Sequence, residues 1–215
     1  MAAMGRIYDA TWSRMFALGY DRFLAQTEQA GLGDMRRELL SAASGRCLEV
    51  GAGTGLNLEH WPEGLDELVL SEPDPHMAAQ LRKKLDRDVR VVDAPAERLP
   101  FDDDSFDTVA LTLVLCTVPD PEASLREIAR ILKPGGLFLF LEHVRADDPG
   151  LARWQDRLHT PWKWFGDGCH CNRDTLSTIE SSPLEVEHSE RGRIPKAVPL
   201  VRPMVRGSAR AGAAG

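Results

Sequence analysis

Apolar and polar positions change rhythm repeatedly along this chain. From Tyr8 to Ser44 apolar residues recur at helical spacing, with Met15, Phe16, Gly19, Tyr20, Phe23 and Leu24 on one stripe, and a Gly31–Gly33 break separates two predicted helices. After that the rhythm becomes short unbroken apolar runs. Arg46–Val50, Glu67–Ser71, Val89–Val92, a stretch within Phe106–Leu115, and Leu137–Val144 read as strands one to five. Helical patterns fall between them. Leu56–Trp61 suits a short helix, and Asp74–Leu85 places Met77, Leu81 and Leu85 on one face. A helix carrying Leu125, Ile128, Ala129 and Leu132 is expected to end at Lys133-Pro134-Gly135-Gly136. Strands buried on both faces and alternating with helices predict an α/β fold, a doubly wound and mostly parallel sheet.

Beyond Asp147 the pattern loosens. Leu151–Trp164 reads as a helix broken at Pro161, Leu184–His188 as a strand, and Val198–Val205 as a Pro-interrupted edge strand. The resulting division is an N-terminal helical cap or lid over residues 1–44, a main domain over 45–206, and a flexible tail over 207–215.

Composition narrows the function classes. The 215 residues are 43% hydrophobic and 27% charged, ordinary for a soluble globular protein, with one good core's worth of chain. A formal net charge of −7 argues against nucleic acid as the main partner. The N-terminus lacks the apolar core of a signal peptide and no run approaches a membrane span, so a cytoplasmic location is expected. Four cysteines do not make a disulfide scaffold.

The candidate chemistry begins at Cys47-Leu-Glu-Val-Gly-Ala-Gly-Thr-Gly55, a strand running into a glycine turn. Ligands of open parallel sheets bind past the carboxyl ends of the strands, and glycines let backbone approach them closely. A dinucleotide fingerprint would place its third glycine at position 56, which is Leu56, and a P-loop would need a lysine that the turn lacks. Glu49 instead sets a carboxylate beside the turn, which suits a ligand carrying an ammonium or sulfonium group. Glu72, followed by Pro73, ends strand two about 20 residues further on, where an acidic residue accepts ribose hydroxyls. Together they specify a nucleoside with a cationic, phosphate-free tail.

LEVGAGTG, the acidic Glu72, AERLPF, FDTVALTLVLCTV and ILKPGG resemble, in order and spacing, the motifs of class I S-adenosylmethionine-dependent methyltransferases. The resemblance implies a Rossmann-like seven-stranded sheet whose last strand is antiparallel. It also implies that the backbone at Gly51, Gly53 and Gly55 holds the methionine moiety of S-adenosyl-L-methionine, with Glu49 near its ammonium group. Glu72 would lie on the ribose, Ala96 and Glu97 beside adenine, and the carbonyls of Leu111 and Thr112 toward the amino-acid tail. Asn57 either touches the cofactor or faces water. Pro95 stands where family members often carry an adenine-binding carboxylate, leaving Asp93 or Glu97, or no residue, for that contact.

TLVLCTV, LEHV, FGDGCHCNRDT and VPLVRPMVRG are similar to methyltransferase-like proteins that methylate alkyl thiols, whose bacterial relatives carry a type-11 methyltransferase label. The implied partner is a small-molecule acceptor. Alternatives are C- or N-methylation of a quinone precursor or phospholipid-type amine, and a non-catalytic cofactor-binding protein. The animal proteins' hydrophobic N-terminal anchor is not matched by the first residues of this sequence, so membrane attachment is not expected to carry over. Glu142, His143 and His170 are the candidate catalytic residues, with Asp167 nearby in sequence. Cys169-His170-Cys171 lacks a second pair of ligands, so no metal is expected there, and Cys116 reads as a small buried residue. Trp162, Trp164 and Phe165 either wall the acceptor pocket or pack a sheet edge.

Overall fold

The computed structural model describes residues 2–85 and 89–212. Seven strands form one sheet in the order β3-β2-β1-β4-β5-β7-β6. The strands are β1 (Arg46–Val50), β2 (Glu67–Ser71), β3 (Arg90–Val92), β4 (Phe106–Thr112), β5 (Leu132–His143), β6 (Leu184–Arg193) and β7 (Pro203–Ala211). β7 runs antiparallel to both β5 and β6, and the neighbouring pairs from β3 to β5 are parallel. The expected mostly parallel, doubly wound sheet with an antiparallel last strand is what forms.

Side chains alternate between the two faces of each strand. Leu48, Val50, Val69, Leu111, Phe138 and Phe140 enter one core cluster, on the face that also takes Leu125 and Ile128. Cys47, Leu70, Ala110, Leu139 and Leu141 enter the other, with Leu32, Leu40 and Leu81. Helices therefore cover both faces. They are α1 (Ala2–Thr27), α2 (Gly33–Leu40), α3 (Pro75–Lys84), α4 (Pro121–Ile131), α5 (Pro149–Phe165) and α6 (Thr175–Glu180). None of the described helices is long and apolar enough to cross a membrane.

Three helices start on the same dipeptide. Asp74, Asp120 and Asp148 accept from backbone N–H groups two or three residues ahead, and Pro75, Pro121 and Pro149 occupy the first helical position. A proline there lacks only an N–H that no helix partner would take, and its fixed φ suits the turn.

The structure departs from the sequence expectations in several places. Leu56–Trp61 is a chain of tight turns, closed by bonds such as His60 N–H to Asn57 O at 2.9 Å, and not a regular helix. α1 and α2 are joined by a π-type turn at Glu28–Leu32, kinked at Gly31 with φ 136°. α4 stops at Ile131, and Lys133–Gly136 bulges out of β5, since Leu132 pairs with Phe106 while Leu137 pairs with Thr108. α5 continues through Pro161. The strand sought at Val198–Val205 is a 3-10 turn (Pro199–Val201) followed by β7, an interior strand. Residues 207–210 of the anticipated tail pair on both sides within β7 and Ala211 pairs with β6, whereas 213–215 lie outside the described residues.

Candidate active site

A cavity of about 450 Å³ opens past the carboxyl ends of β1, β2, β4 and β5. At one end stands Glu49, only 2% exposed, on the sheet face that also carries Thr112. Its two carboxylate oxygens accept from Asn57 Nδ2 at 2.9 Å and Trp61 Nε1 at 2.8 Å. Asn57 Nδ2 also donates to Thr112 Oγ1 at 2.9 Å. Arg36, on α2, completes this polar knot by donating to Asn57 Oδ1 at 2.9 Å and Thr112 Oγ1 at 2.6 Å, while pairing with Glu28 at 3.1 Å. Burial pushes the Glu49 carboxyl up to about 7, against the opposing pull of its two donors and of Arg36.

Glu72 is the second buried carboxylate. It accepts from the Gly53 N–H at 2.7 Å and the Asp74 N–H at 2.8 Å, which ties the glycine turn to the start of α3. Burial raises its pKa and those N–H bonds work against the rise. The turn's glycines have separate reasons. A Cβ on Gly51, at φ 67°, would meet Val114 Cγ2 at 2.7 Å, whereas one on Gly53, at φ 57°, would enter open space. Bare backbone facing an open volume between two buried carboxylates fits a nucleoside cofactor with a cationic tail.

The far end is softer. Cys116, His143 and Cys169 line the cavity, and His143 Nδ1 is 3.7 Å from each sulfur. One ligand atom from each of the three lies within 4.8 Å of the others. Trp162, also on the wall, has a buried Nε1 with no hydrogen-bond partner among the described residues. Phe16, Tyr20 and Phe23 of α1 and Phe165 of α5 line it too. Tyr20 and Phe23 thus reach over the cavity from the cap, Phe23 remaining half exposed.

Among the residues the sequence singled out, Glu49, Gly51, Gly53, Asn57, Glu72, Pro73, Ala96, Glu97, Thr112 and His143 line the cavity. Gly55 does not; a Cβ there would strike Leu81 and Leu58, so it serves the packing of the turn on α3. The Leu111 side chain belongs to the opposite face. Glu142 is fully buried and its carboxylate accepts the N–H groups of Val114 at 2.7 Å, Leu115 at 3.0 Å and Cys116 at 3.2 Å. It braces the loop after β4. Neighbours on a strand point to opposite faces, so Glu142 and His143 do not share the cavity. His170 stays outside it, paired to His159 at 2.9 Å, and burial lowers its pKa to about 4. The Cys169-His170-Cys171 trio is split, because Cys171 Sγ turns to the Gln155 carbonyl.

Sequence reasoning missed Arg36, Trp61 and the Cys116–His143–Cys169 corner. Arg36 had a signal: it shares the buried face of α2 with Leu39 and Leu40, where an unpaired charge would not be stable. It also missed Leu113, which takes a left-handed φ of 61° where β4 ends at the cavity.

Fold and site together define an S-adenosylmethionine-dependent methyltransferase. The methyltransferase domain family matches residues 48–140. Thiol S-methyltransferase TMT1B of Homo sapiens is 36% identical over 179 residues, covering 79% of this chain and 73% of the relative. The demethylmenaquinone methyltransferase of Corynebacterium urealyticum is 33% identical over 150 residues, covering 70% and 60%. A solved S-adenosylmethionine-dependent methyltransferase from Thermotoga maritima shares the fold with a TM-score of 0.69 at 22% identity, covering 94% and 99%. The chain belongs to the methyltransferase domain family, with thiol S-methyltransferases among its relatives.

Proposed function

We propose that this enzyme methylates a small alkyl thiol. The observation that carries the reading is one continuous cavity joining two buried carboxylates to a corner of two thiols and an imidazole. When bound, S-adenosylmethionine supplies a methyl group already activated by a positive sulfur. Glu49 would face its ammonium group, Glu72 its ribose, and Ala96 and Glu97 its adenine, with Gly51, Gly53, Asn57 and Thr112 completing the wall. At the other end His143 would hold the acceptor's S–H and ease loss of its proton. The aromatic wall and the α1 cap exclude water, so alignment supplies much of the rate. A thiol with a pKa of roughly 8.5 gives up its proton readily, so a strong base such as an ionised Glu142 is unnecessary. A reducing cytoplasm suits the four free cysteines and a thiol acceptor alike.

The test is a panel of alkyl thiols, quinols and amines incubated with enzyme and S-adenosylmethionine, read by product mass. Methylated thiols are expected. Methylated quinols or amines with no methylated thiol would overturn the reading. His143→Gln should lower kcat/KM for the thiol by at least about 100-fold, with the S-adenosylhomocysteine Kd unchanged.

A further inference from the structure

We propose that Cys116, His143 and Cys169 form an open, three-ligand zinc site whose fourth position takes the acceptor thiol. The substrate half of this inference rests on the thiol-methylation reading above; the metal half does not.

Two edges of the site match those of a zinc tetrahedron, and all three ligand atoms lie within 4.8 Å of one another. His143 Nδ1 is 3.7 Å from Cys116 Sγ and 3.7 Å from Cys169 Sγ. Zinc with Zn–S near 2.3 Å and Zn–N near 2.05 Å spans an S···N edge of about 3.6 Å. Two sulfurs and one imidazole are a soft donor set that suits zinc, and three protein ligands with one open position is the arrangement of catalytic rather than structural zinc. All three residues line the cavity, so the free volume available to a fourth ligand is the acceptor space itself.

The three ligands come from separate segments that the fold ties together. Cys116 lies in the turn after β4, held by its N–H bond to Glu142 at 3.2 Å. His143 is the last residue of β5. Cys169 follows α5, and the next residue's N–H donates to the Cys116 carbonyl at 2.7 Å, joining the two cysteine segments. Such pre-positioning reduces the ordering that a metal must impose. This pairing was not readable from spacing, since the adjacent Cys171 faces Gln155 instead.

The chemistry balances without a redox partner. With the metal bound, His143 serves as a ligand in place of its direct contact with the acceptor S–H, and the acceptor R–SH coordinates zinc and releases its proton to solvent, since a coordinating thiol is deprotonated. A lone pair on the thiolate sulfur forms the new S–CH3 bond as the sulfonium C–S bond breaks, and that bond's electron pair stays on the departing sulfur. The neutral thioether product is a poorer ligand and vacates the fourth position.

The full chain, purified with a phosphine instead of a thiol reductant and stripped by chelator, is titrated with Co²⁺ and then competed with Zn²⁺. One equivalent of cobalt with tetrahedral, thiolate-type absorption is expected, and ethanethiol should perturb that spectrum. Cys169→Ser should weaken metal binding at least about tenfold, leaving S-adenosylhomocysteine binding intact as the check on folding, while Cys171→Ser should retain the metal. Failure of the wild type to bind either ion, or equal binding by Cys169→Ser, overturns the site. Thiol methylation undiminished in chelated, metal-free enzyme also overturns it and leaves the proposed function standing. Metal binding without methylation of any thiol leaves the site and removes the substrate assignment.

Discussion

Glu49 links burial to ligand chemistry. Its carboxyl is raised from 4.5 to about 7 by burial, with Asn57 and Trp61 donating to it, Arg36 of α2 opposing the rise and Glu72, just past β2, adding to it. Because folding raises this pKa, the ligand-free protein loses stability as pH climbs from 4.5 to about 7, where the carboxylate must ionise without solvent. A cationic ligand reverses that cost, since it binds the ionised form. Affinity for S-adenosylhomocysteine is therefore expected to fall about tenfold from pH 8 to pH 6, and Glu49→Gln should flatten the dependence. Calorimetry across that range decides it; a wild-type Kd that ignores pH would remove Glu49 from the ammonium end. Glu49 was legible because a carboxylate between strand and glycine turn is unusual for a phosphate site. The roles of Arg36 and Cys169 were not, because each depends on a partner more than twenty residues away in the chain, Thr112 for Arg36 and Cys116 and His143 for Cys169. Glu142 was nominated beside His143, although strand alternation alone should have kept only one of that pair.

At the scale of elements, the parallel strands were readable because each is a local apolar run. The Asp-Pro helix starts carry an equally local signal, a cap and a proline in adjacent positions, yet the sequence reading began a helix only at Asp74 and not at Asp120 or Asp148. β7 was not readable. Its residues Gly207, Ser208, Ala209 and Ala211 are small, and together with the basic positions they imitate a solvated tail. They are small because β7 is flanked by β5 and β6 on a crowded surface. A Cβ on Gly207 would collide with the His188 carbonyl oxygen and come within 2.7 Å of Phe140 Cζ. Gly207→Ala is accordingly expected to cost about 3 kcal/mol, the upper end for overpacking, in urea denaturation. Gly212→Ala, where the added Cβ meets open space, should change stability by no more than about 0.5 kcal/mol. Equal effects at the two glycines would contradict the interior placement of β7.

At the scale of the whole molecule, α1 lies along the cavity, and polar ties join it to both the glycine turn and the segment after α5. Asp21 accepts from Thr54 Oγ1 at 2.5 Å and pairs with Lys84 at 2.6 Å, joining the cap to the glycine turn and to α3. Further along the helix, Ser13 Oγ donates to Asp167 at 3.0 Å and Trp12 stacks on Trp164 with ring centroids 5.3 Å apart. Phe16, Tyr20 and Leu24 line the enclosed space, while Met15 and Leu18 face outward. A cap fixed by hydrogen bonds and by the ring contacts of Trp12 with Trp164 and Phe165 and of Phe23 with Phe165 is expected to open without disturbing the sheet, giving a cofactor its way in and out. Asp21→Ala removes the tie to both the turn and α3. Each hydrogen bond is worth about 1 kcal/mol, so S-adenosylhomocysteine should dissociate about five to tenfold faster, with the denaturation midpoint little changed. Stopped-flow fluorescence of Trp12 and Trp164 follows the opening directly. Unchanged dissociation in the variant would mean that the ligand leaves by another route and that α1 is part of the fixed wall.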